Sequence, residues 1–296
     1  MEPSVSQTSR LPVCYDGPLR IGLHTSRAKS LEDAALEAHR LGANTFQIFS
    51  ASPRMWRASK PDPADIRRLV AARERLDLAP LVIHTNYLVN LATLDPDIRA
   101  KSVTSFRGEL DRAKALGADY LVLHPGNYKN QSLEQGLAAF VLGLAEAAVG
   151  FAAPGLTVLL ENTVGSGHQI GQRFEELRMI RDLAARETAL PIAYCLDTCH
   201  LFAAGFKIEE ETVTAADQTL GLDLVKVIHA NDSKGQLGSH LDRHENIGKG
   251  QIGEEGFRRI LTHPKLREKP FILETPVETD EEARRDIETL KRLSAA

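Results

Sequence analysis

The chain has 296 residues, of which 43% are hydrophobic and 26% are charged, and its formal net charge is −4. This composition is typical of a soluble globular protein, and the acidic balance argues against a broadly basic nucleic-acid-binding surface. No apolar run approaches the roughly 20 residues that span a bilayer, and the first 18 residues lack the apolar core of a secretory signal. We therefore expect a cytoplasmic protein with no membrane partner.

Three cysteines, Cys14, Cys195 and Cys199, are too few for a disulfide framework. Cys195 and Cys199 are separated by three residues and have no second cysteine pair, so a thiolate zinc site is not expected. Cys195 precedes Asp197 by two residues and should share its strand face at a deeper level. We interpret both cysteines as bystanders.

Residues 1–18 are polar, contain proline and glycine, and are predicted to form a loose N-terminal arm before one domain of residues 19–296. Helical patterns occupy, among others, residues 30–42, 62–76, 131–148 and 279–293. Gly42 and Gly117 are predicted to end helices, because a polar turn and a new strand follow each. The predicted strands cover residues 19–25, 45–49, 80–85, 119–125, 156–163, 191–197, 223–230 and 270–275.

The ends of successive predicted strands are about 25 to 45 residues apart, as expected for strand-plus-helix units of a parallel sheet. Eight such units predict an α/β fold, a single (β/α)8 TIM barrel, in which catalytic groups lie at the C-terminal ends of the strands. A doubly wound sheet is the alternative fold. No G-x-G-x-x-G follows the first strand, which removes the main reason to prefer it.

Potential metal ligands lie at or near the ends of the predicted strands. A lone histidine there is more often a hydrogen-bonded structural residue than a ligand. In one barrel mouth, however, five imidazoles and four carboxylates without a cation would repel one another or become protonated. The nine residues are His84, His124, Glu161, Asp197, His200, His229, Asp242, His244 and Glu274.

Imidazole nitrogens and carboxylate oxygens are the usual ligands of zinc, and also of manganese or iron. At three or four protein ligands for each ion, nine ligands serve two or three ions. Three divalent ions would reverse the sign of the formal net charge of −4 and would create a local anion-binding cleft on an acidic protein.

The motifs around these residues give the chain a family resemblance. Three long segments, "ENTVGSGHQIG" (161–171), "CLDTCHLFAAG" (195–205) and "HANDSKGQLGSHLDRHENIGKGQIG" (229–253), are present in this order. The segments "HTNYLVNLA" (84–92), "LHPG" (123–126) and "ETP" (274–276) agree as well. From about Arg20 to Leu293 the sequence resembles the endonuclease IV family, the metal-dependent apurinic/apyrimidinic endonucleases of DNA base-excision repair.

The resemblance implies a trinuclear zinc site, with Mn²⁺ or Fe²⁺ as alternative metals. Each ion would take ligands from several strand ends, and one carboxylate would bridge two ions. The implied ligands are His84, His124 and Glu161 for the first ion, Glu161, Asp197, His229 and Glu274 for the second, and His200, Asp242 and His244 for the third.

The implied reaction is hydrolysis of the phosphodiester 5′ to an abasic site in double-stranded DNA, which leaves a 3′-hydroxyl and a 5′-deoxyribose phosphate. A hydroxide shared by the two bridged ions would attack phosphorus, and the third ion would neutralise the leaving oxygen. Glu161 and Glu274 are the expected catalytic residues, Glu161 as the bridge and Glu274 because it also orients the attacking water. We expect a monomer, since one barrel supplies the complete site, located in the cytosol or with the nucleoid.

Recognition of a missing base requires an opened duplex, and side chains wedged into the base stack are a common means. The resemblance carries this role to Arg54, Tyr87 and Leu88 on the loops after strands two and three, where ordinary packing of Tyr87 and Leu88 is the alternative. Lys234 and Arg243 are candidate phosphate contacts, with a solvated or ion-paired surface role equally open.

Two other functions fit parts of the pattern. A sugar isomerase or epimerase of the xylose-isomerase-like barrel group would need one or two metals and would leave His200, Asp242 and His244 without a role. A non-catalytic DNA-binding or scaffold protein would have no physical reason to keep so many polar groups in one cleft. The third ligand group therefore distinguishes the endonuclease from the sugar isomerase, and the intact set of ligands counts against the scaffold protein.

Overall fold

The eight predicted strands all form, and they close into one parallel barrel. A computed structural model describes residues 19–26 and 29–295, so the expected arm and Cys14 lie outside the described residues. The barrel strands are β1 (Ile21–His24), β2 (Thr45–Phe49), β3 (Leu81–His84), β4 (Tyr120–Leu123), β5 (Thr157–Glu161), β6 (Ile192–Asp197), β7 (Val225–His229) and β10 (Phe271–Leu273). Their order around the barrel is β1-β10-β7-β6-β5-β4-β3-β2. The predicted (β/α)8 barrel is confirmed.

Helices cover the outside of the barrel. They are α1 (Leu31–Arg40), α2 (Pro63–Arg75), α3 (Pro96–Ala115), α4 (Leu133–Ala148), α5 (Phe174–Glu187), α6 (Thr198–Ala203), α7 (Glu210–Leu220), α8 (Gly253–Thr262) and α9 (Asp280–Ser294), with one 3-10 turn at Leu222–Leu224. Serine side chains cap the N-termini of two helices: that of Ser30 accepts a hydrogen bond from the backbone N–H of Asp33, and that of Ser132 accepts one from the backbone N–H of Gln135. Across residues 19–26 and 29–295, no helix combines the length and apolar character needed to cross a membrane.

Two details differ from the sequence interpretation. β4 ends at Leu123 and β10 at Leu273, so His124 and Glu274 are the first residues after their strands. The long loop after β7 contains a two-stranded antiparallel ribbon of β8 (Asp232–Ser233) and β9 (His244–Glu245). Strands of two residues are too short to show an alternating pattern in sequence.

The apolar core has two layers. The larger lies between the strands and the surrounding helices and includes Phe46, Phe106 and Phe257. The smaller fills the barrel interior and consists of Val82, Val122, Leu159, Ala193, Cys195, Val227 and Ile272. Because side chains alternate along a strand, each interior residue that lies two positions before a strand-end histidine or acid supports it from below.

We predict that Gly22→Ala destabilises the barrel by about 3 kcal/mol, because the added Cβ would lie 2.0 Å from the carbonyl oxygen of Thr45 on the neighbouring strand. Gly117→Ala is the matched control: its φ of +61° is unfavourable for alanine, but no atom lies within 4 Å, so about 1 kcal/mol is expected. Urea unfolding measures both. Equal losses would contradict the steric explanation.

Candidate metal centre

The nine predicted ligands meet at the C-terminal mouth of the barrel. Their ligand atoms form three groups in which all atoms lie within 4.8 Å of one another. The groups are His84 with His124 and Glu161; Glu161 with Asp197, His229 and Glu274; and His200 with Asp242 and His244. Each group joins residues from different strand ends, as the barrel topology predicts.

Glu161, at the end of β5, belongs to two of these groups and is fully buried. Its Oε2 lies 3.2 Å from Nε2 of His84 and 3.1 Å from Nε2 of His124. Its Oε1 lies 2.8 Å from Nδ1 of His229. Burial alone would raise the pKa of Glu161, but His124 and His229 hold that pKa well below its usual range. The carboxylate is therefore ionised and faces a different ligand group with each oxygen.

Asp197 ends β6 and also starts α6. Its Oδ1 accepts a hydrogen bond of 2.7 Å from the backbone N–H of His200, an N-cap that fixes the carboxylate. Its Oδ2 accepts one of 2.6 Å from the side-chain amide of Asn231. The short helix then turns the His200 imidazole back toward the mouth, which explains why an acid and a histidine occur three residues apart.

Hydrogen bonds to the far ring nitrogens orient three of the histidines. Nδ1 of His84, His200 and His244 lies 2.7, 2.9 and 3.0 Å from the carbonyl oxygens of Thr85, Asn162 and Glu274, respectively. Carbonyl oxygens accept only, so Nδ1 carries the proton and Nε2 points to the mouth in all three rings. This arrangement is typical of metal-binding histidines.

Gln47, in the middle of β2, supports the second ligand group and was not identified from the sequence. Its Oε1 lies 2.9 Å from Nε2 of His229, which leaves Nδ1 of that ring facing Glu161. Its Nε2 donates a hydrogen bond of 2.6 Å to Oε1 of Glu274. A buried amide inside the apolar segment "TFQIF" was the only sequence signal of this role.

Asn231 also supports the donor groups and was not identified from the sequence. Its side-chain nitrogen donates to Asp197, while its Oδ1 accepts a hydrogen bond of 2.7 Å from the backbone N–H of Glu274. It therefore ties the end of β6 to the end of β10. An uncharged amide two residues after His229 is not distinguishable in sequence from an ordinary loop residue.

Asp232 anchors the long loop that carries the third ligand group. This buried carboxylate accepts hydrogen bonds of 2.8 to 3.4 Å from five backbone N–H groups, those of Ser233, Gly248, Gly250, Ile252 and Gly253. Because the donors lie on both sides of β9, they fold the loop back over the barrel mouth. Asp242 and His244 are thereby held beside His200.

Two histidines of the third group have strongly shifted pKa values. Burial lowers the pKa of His200, but Asp197 and Asp242 outweigh burial and raise it to about 10. Burial likewise lowers the pKa of His244, and Asp242 and Asp197 raise it to about 9. Both imidazoles are therefore protonated at neutral pH, and their positive charge offsets the negative charge of the neighbouring carboxylates where a metal ion could do so.

One buried atom, Nε2 of His244, is better satisfied by a metal ion than by hydrogen bonds to its neighbours. Nε2 of His244 lies 3.2 Å from Oδ1 of Asp242, yet within residues 19–26 and 29–295 it has no hydrogen bond of acceptable geometry. A buried nitrogen without a partner is unfavourable. An ion bound by His200, Asp242 and His244 would satisfy it, and the same donor types fill the other two groups.

The cysteines are poorly suited to bind metal. Cys199 has its sulfur near Asp197 and His244, but this Sγ points to the carbonyl oxygen of Arg243 at 3.6 Å. Burial raises the pKa of Cys199, and burial raises that of Cys195 to about 12. Metal binding requires the thiolate, so these shifts favour the interpretation of both residues as bystanders.

The five predicted DNA contacts lie around this mouth. Tyr87 is 67% exposed, with its ring against Phe49 at a centroid distance of 5.2 Å. Leu88 is half-buried beside it, and Arg54 is exposed on the loop after β2. Lys234 directly follows β8 and Arg243 directly precedes β9, and both side chains are exposed. The backbone N–H of Lys234 donates a hydrogen bond of 2.9 Å to the carbonyl oxygen of Arg243.

A cavity of about 280 Å³ lies at the centre of the mouth. Its wall combines ligand-group residues such as His124, Asp242 and Glu274 with the ring of Phe49 and the exposed Tyr87. His24 also lines it, 3.7 Å from Glu274, and burial lowers the pKa of His24. The cavity is thus polar at its floor and aromatic on one side.

Comparison with known proteins identifies similar chains along nearly the whole length. The family profile described as "Xylose isomerase-like TIM barrel" matches residues 35–293. A protein named "Probable endonuclease 4" from Solibacter usitatus is 62% identical over 283 residues, which are 94% of this chain and 98% of that one.

Solved structures are similar to this chain along nearly its whole length as well. The crystal structure of endonuclease IV from Thermus thermophilus superposes with a TM-score of 0.81 at 37% identity, covering 93% of this chain and 98% of that chain. A D-tagatose 3-epimerase-like protein superposes with a TM-score of 0.70 at 21% identity, covering 93% and 97%. At that identity, the second similarity concerns the fold alone.

Chelator-treated protein should lose stability as the pH rises from 7 to 10. The folded-state pKa values of His200 and His244, about 10 and about 9, lie above the ordinary value of 6.5. The contribution of the two protonated imidazoles to the free energy of unfolding is therefore complete below pH 6.5. It is lost as the pH rises through their folded-state pKa values. The expected loss is on the order of 3 kcal/mol, because both imidazoles share Asp242 and their shifts do not add.

Urea unfolding of the chelator-treated protein at the two pH values measures this loss. Asp242→Asn is the matched control, since it removes the shared carboxylate and should reduce the pH dependence. If the wild type and Asp242→Asn lost equal stability across this pH range, the assignment of the shifts to Asp242 would be wrong.

Proposed function

Because the chain belongs to the endonuclease IV family of metal-dependent endonucleases, we propose that it hydrolyses the phosphodiester on the 5′ side of abasic sites in double-stranded DNA. The proposed products are a 3′-hydroxyl and a 5′-deoxyribose phosphate. The observation that carries this proposal is the third donor group of His200, Asp242 and His244 beside the two groups that share Glu161. A donor set of this size suits three ions acting on one phosphate.

Three zinc ions are the proposed cofactor, with Mn²⁺ or Fe²⁺ as alternatives. Bound in these groups, such ions would supply positive charge for the phosphate oxygens and would lower the pKa of an attacking water. The proposed ligands are His84, His124 and Glu161 for the first ion, Glu161, Asp197, His229 and Glu274 for the second, and His200, Asp242 and His244 for the third.

The chain's own groups supply position and orientation. Glu161 keeps an ionised carboxylate on the cleft floor, facing two donor groups at once. Glu274 has one oxygen held by Gln47, while its Oε2 lies 3.4 Å from Nδ1 of His229. That oxygen can accept a hydrogen bond from an attacking water and align its lone pair with phosphorus. Glu161 and Glu274 are therefore the proposed catalytic residues.

Recognition of the abasic site is assigned to the rim. Tyr87 and Leu88 would fill the gap in the base stack and Arg54 would stabilise the opened duplex, because all three project from loops beside the cleft. Lys234 and Arg243 would bind backbone phosphates, since both are exposed cations next to the third donor group. One barrel supplies every group, so a monomer is proposed, acting where the DNA is in the cytosol or nucleoid.

Sugar epimerisation is less well supported. The resemblance to a D-tagatose 3-epimerase-like structure is confined to the fold, at 21% identity. Chemistry at one carbon of a sugar gives no role to His200, Asp242 and His244. The rim aromatic Tyr87, 67% exposed, also suits a macromolecular substrate better than a small one.

The direct test of activity uses a duplex with one tetrahydrofuran abasic analogue. Metal-loaded protein should cut it immediately 5′ to the lesion and leave a 3′-hydroxyl. Glu161→Ala should lower kcat/KM by about a thousandfold or more, because two donor groups lose their shared carboxylate. Glu146→Ala, which changes an exposed carboxylate on α4 paired with Arg99, should leave it unchanged. An intact duplex despite bound metal would contradict the proposed function.

Metal analysis separates the endonuclease from the epimerase. Dialysed wild-type protein should retain about three ions per chain by mass spectrometry, and Asp242→Asn about two, with incision reduced. The reason is that only the third group loses a ligand. A wild type that never binds more than one ion, or an Asp242→Asn variant with full metal content, would be inconsistent with a trinuclear site.

A further inference from the structure

A buried ion pair on α3 lies outside the metal centre and has no role in the proposed chemistry. Glu109 is 1% and Arg112 9% exposed, and their side chains lie 3.1 Å apart at positions i and i+3 of the helix. A buried ion pair is not by itself more stabilising than apolar residues of similar size. The role of this ion pair must therefore be inferred from the polar side chains that hydrogen-bond to it.

The first neighbour is Ser50, the residue directly after β2. Its hydroxyl donates a hydrogen bond to Oε2 of Glu109 and accepts one of 2.6 Å from Nε of Arg112. Ser50 is 1% exposed, so this contact is fully desolvated. Gly108 makes room for the guanidinium, since a Cβ there would lie 2.9 Å from Nη1 of Arg112. The ion pair thus fixes the start of the loop that carries Arg54.

The second neighbour is Asn86, two residues after the end of β3. Its Nδ2 donates hydrogen bonds of 3.2 Å to Oε1 of Glu109 and 2.8 Å to the hydroxyl of Ser105. Its Oδ1 accepts one of 2.9 Å from the backbone N–H of Leu88, which shapes the turn that contains Tyr87. The amide orientation of Asn86 is therefore determined by contacts at both ends.

The two loops also contact each other directly. The backbone N–H of Tyr87 donates a hydrogen bond of 3.2 Å to the carbonyl oxygen of Pro53. Tyr87 is 67% exposed, although two hydrogen bonds hold the main chain around it, one from its own N–H to Pro53 and one from the N–H of Leu88 to the side chain of Asn86. A side chain displayed on a fixed backbone loses little further entropy when it enters a ligand.

From these contacts we propose that Glu109 is a positioning residue for DNA recognition, which holds the loops after β2 and β3 in one relative orientation so that Arg54, Tyr87 and Leu88 engage the duplex together. Through Ser50 and Asn86, one carboxylate controls both loops. The inference rests on the proposed function, because it assumes that these loops contact DNA. It involves no metal ligand and no step of the hydrolysis.

The test compares Glu109→Gln with a matched ion pair at the opposite end of the barrel. Arg73 and Asp119 are 3.0 Å apart with side chains 11% and 21% exposed, and Asp119 precedes β4, away from the mouth. Asp119→Asn therefore removes a comparable charge without affecting the loops. Ser50→Ala is the second variant, since it detaches the loop after β2 while leaving the ion pair intact and is milder for folding.

Three readouts separate positioning from general stability. Trp56, the only tryptophan of the chain, lies on the loop after β2 and reports its conformation through acrylamide quenching of fluorescence. Equilibrium binding and kinetics on the tetrahydrofuran duplex give Kd, KM and kcat. Glu109→Gln and Ser50→Ala should both increase Trp56 quenching and raise Kd and KM by about tenfold, with kcat within about twofold of the wild type. Asp119→Asn should lower the unfolding midpoint without changing any of them.

The outcomes are distinguishable from a failure of the proposed function. If wild-type protein neither binds nor cuts the abasic duplex, the function itself is wrong. If wild-type protein cuts, but Glu109→Gln and Ser50→Ala change only the unfolding midpoint, as Asp119→Asn does, then the ion pair is merely structural and the inference is overturned.

Discussion

The buried carboxylate of Glu161 is the constraint on which the rest of the site depends. A fully buried, ionised carboxylate destabilises the folded state unless cationic or hydrogen-bonding groups surround it. Here three imidazoles do so, those of His84, His124 and His229, at distances of 2.8 to 3.2 Å. Those rings come from three other strand ends, so the closure of the barrel and the ionisation of one acid are mutually dependent.

The apolar interior of the barrel and hydrogen bonds to the far ring nitrogens hold the side chains of these groups in place. The interior layer that includes Val82, Cys195 and Val227 excludes water beneath the mouth. Backbone carbonyls hold the far nitrogens of three rings, and Gln47 holds that of His229. The barrel therefore determines the orientations of the first two groups, while the loop anchored by Asp232 positions Asp242 and His244. Fixed side-chain orientations of this kind are what a preorganised metal site requires.

The sequence predicts the barrel and the convergence of the nine side chains at its mouth, because the C-terminal strand ends of this fold meet at one face. It does not predict the supports. Gln47 and His229 are 182 residues apart in sequence and meet only because β2 and β7 face the same barrel interior. Asp232 also has no local signal, since its five partners are backbone groups. Side-chain chemistry at strand ends can be read from residue types, but hydrogen-bond partners across the barrel depend on the closed geometry.

We propose above that Glu161 joins two metal ions while a third is held separately by His200, Asp242 and His244. Anomalous diffraction at the zinc absorption edge, from crystals of the metal-loaded protein, tests it most directly. We expect three peaks, with Oε1 and Oε2 of Glu161 contacting two different ions and the third ion among His200, Asp242 and His244. A single peak, or both Glu161 oxygens on one ion, would contradict it.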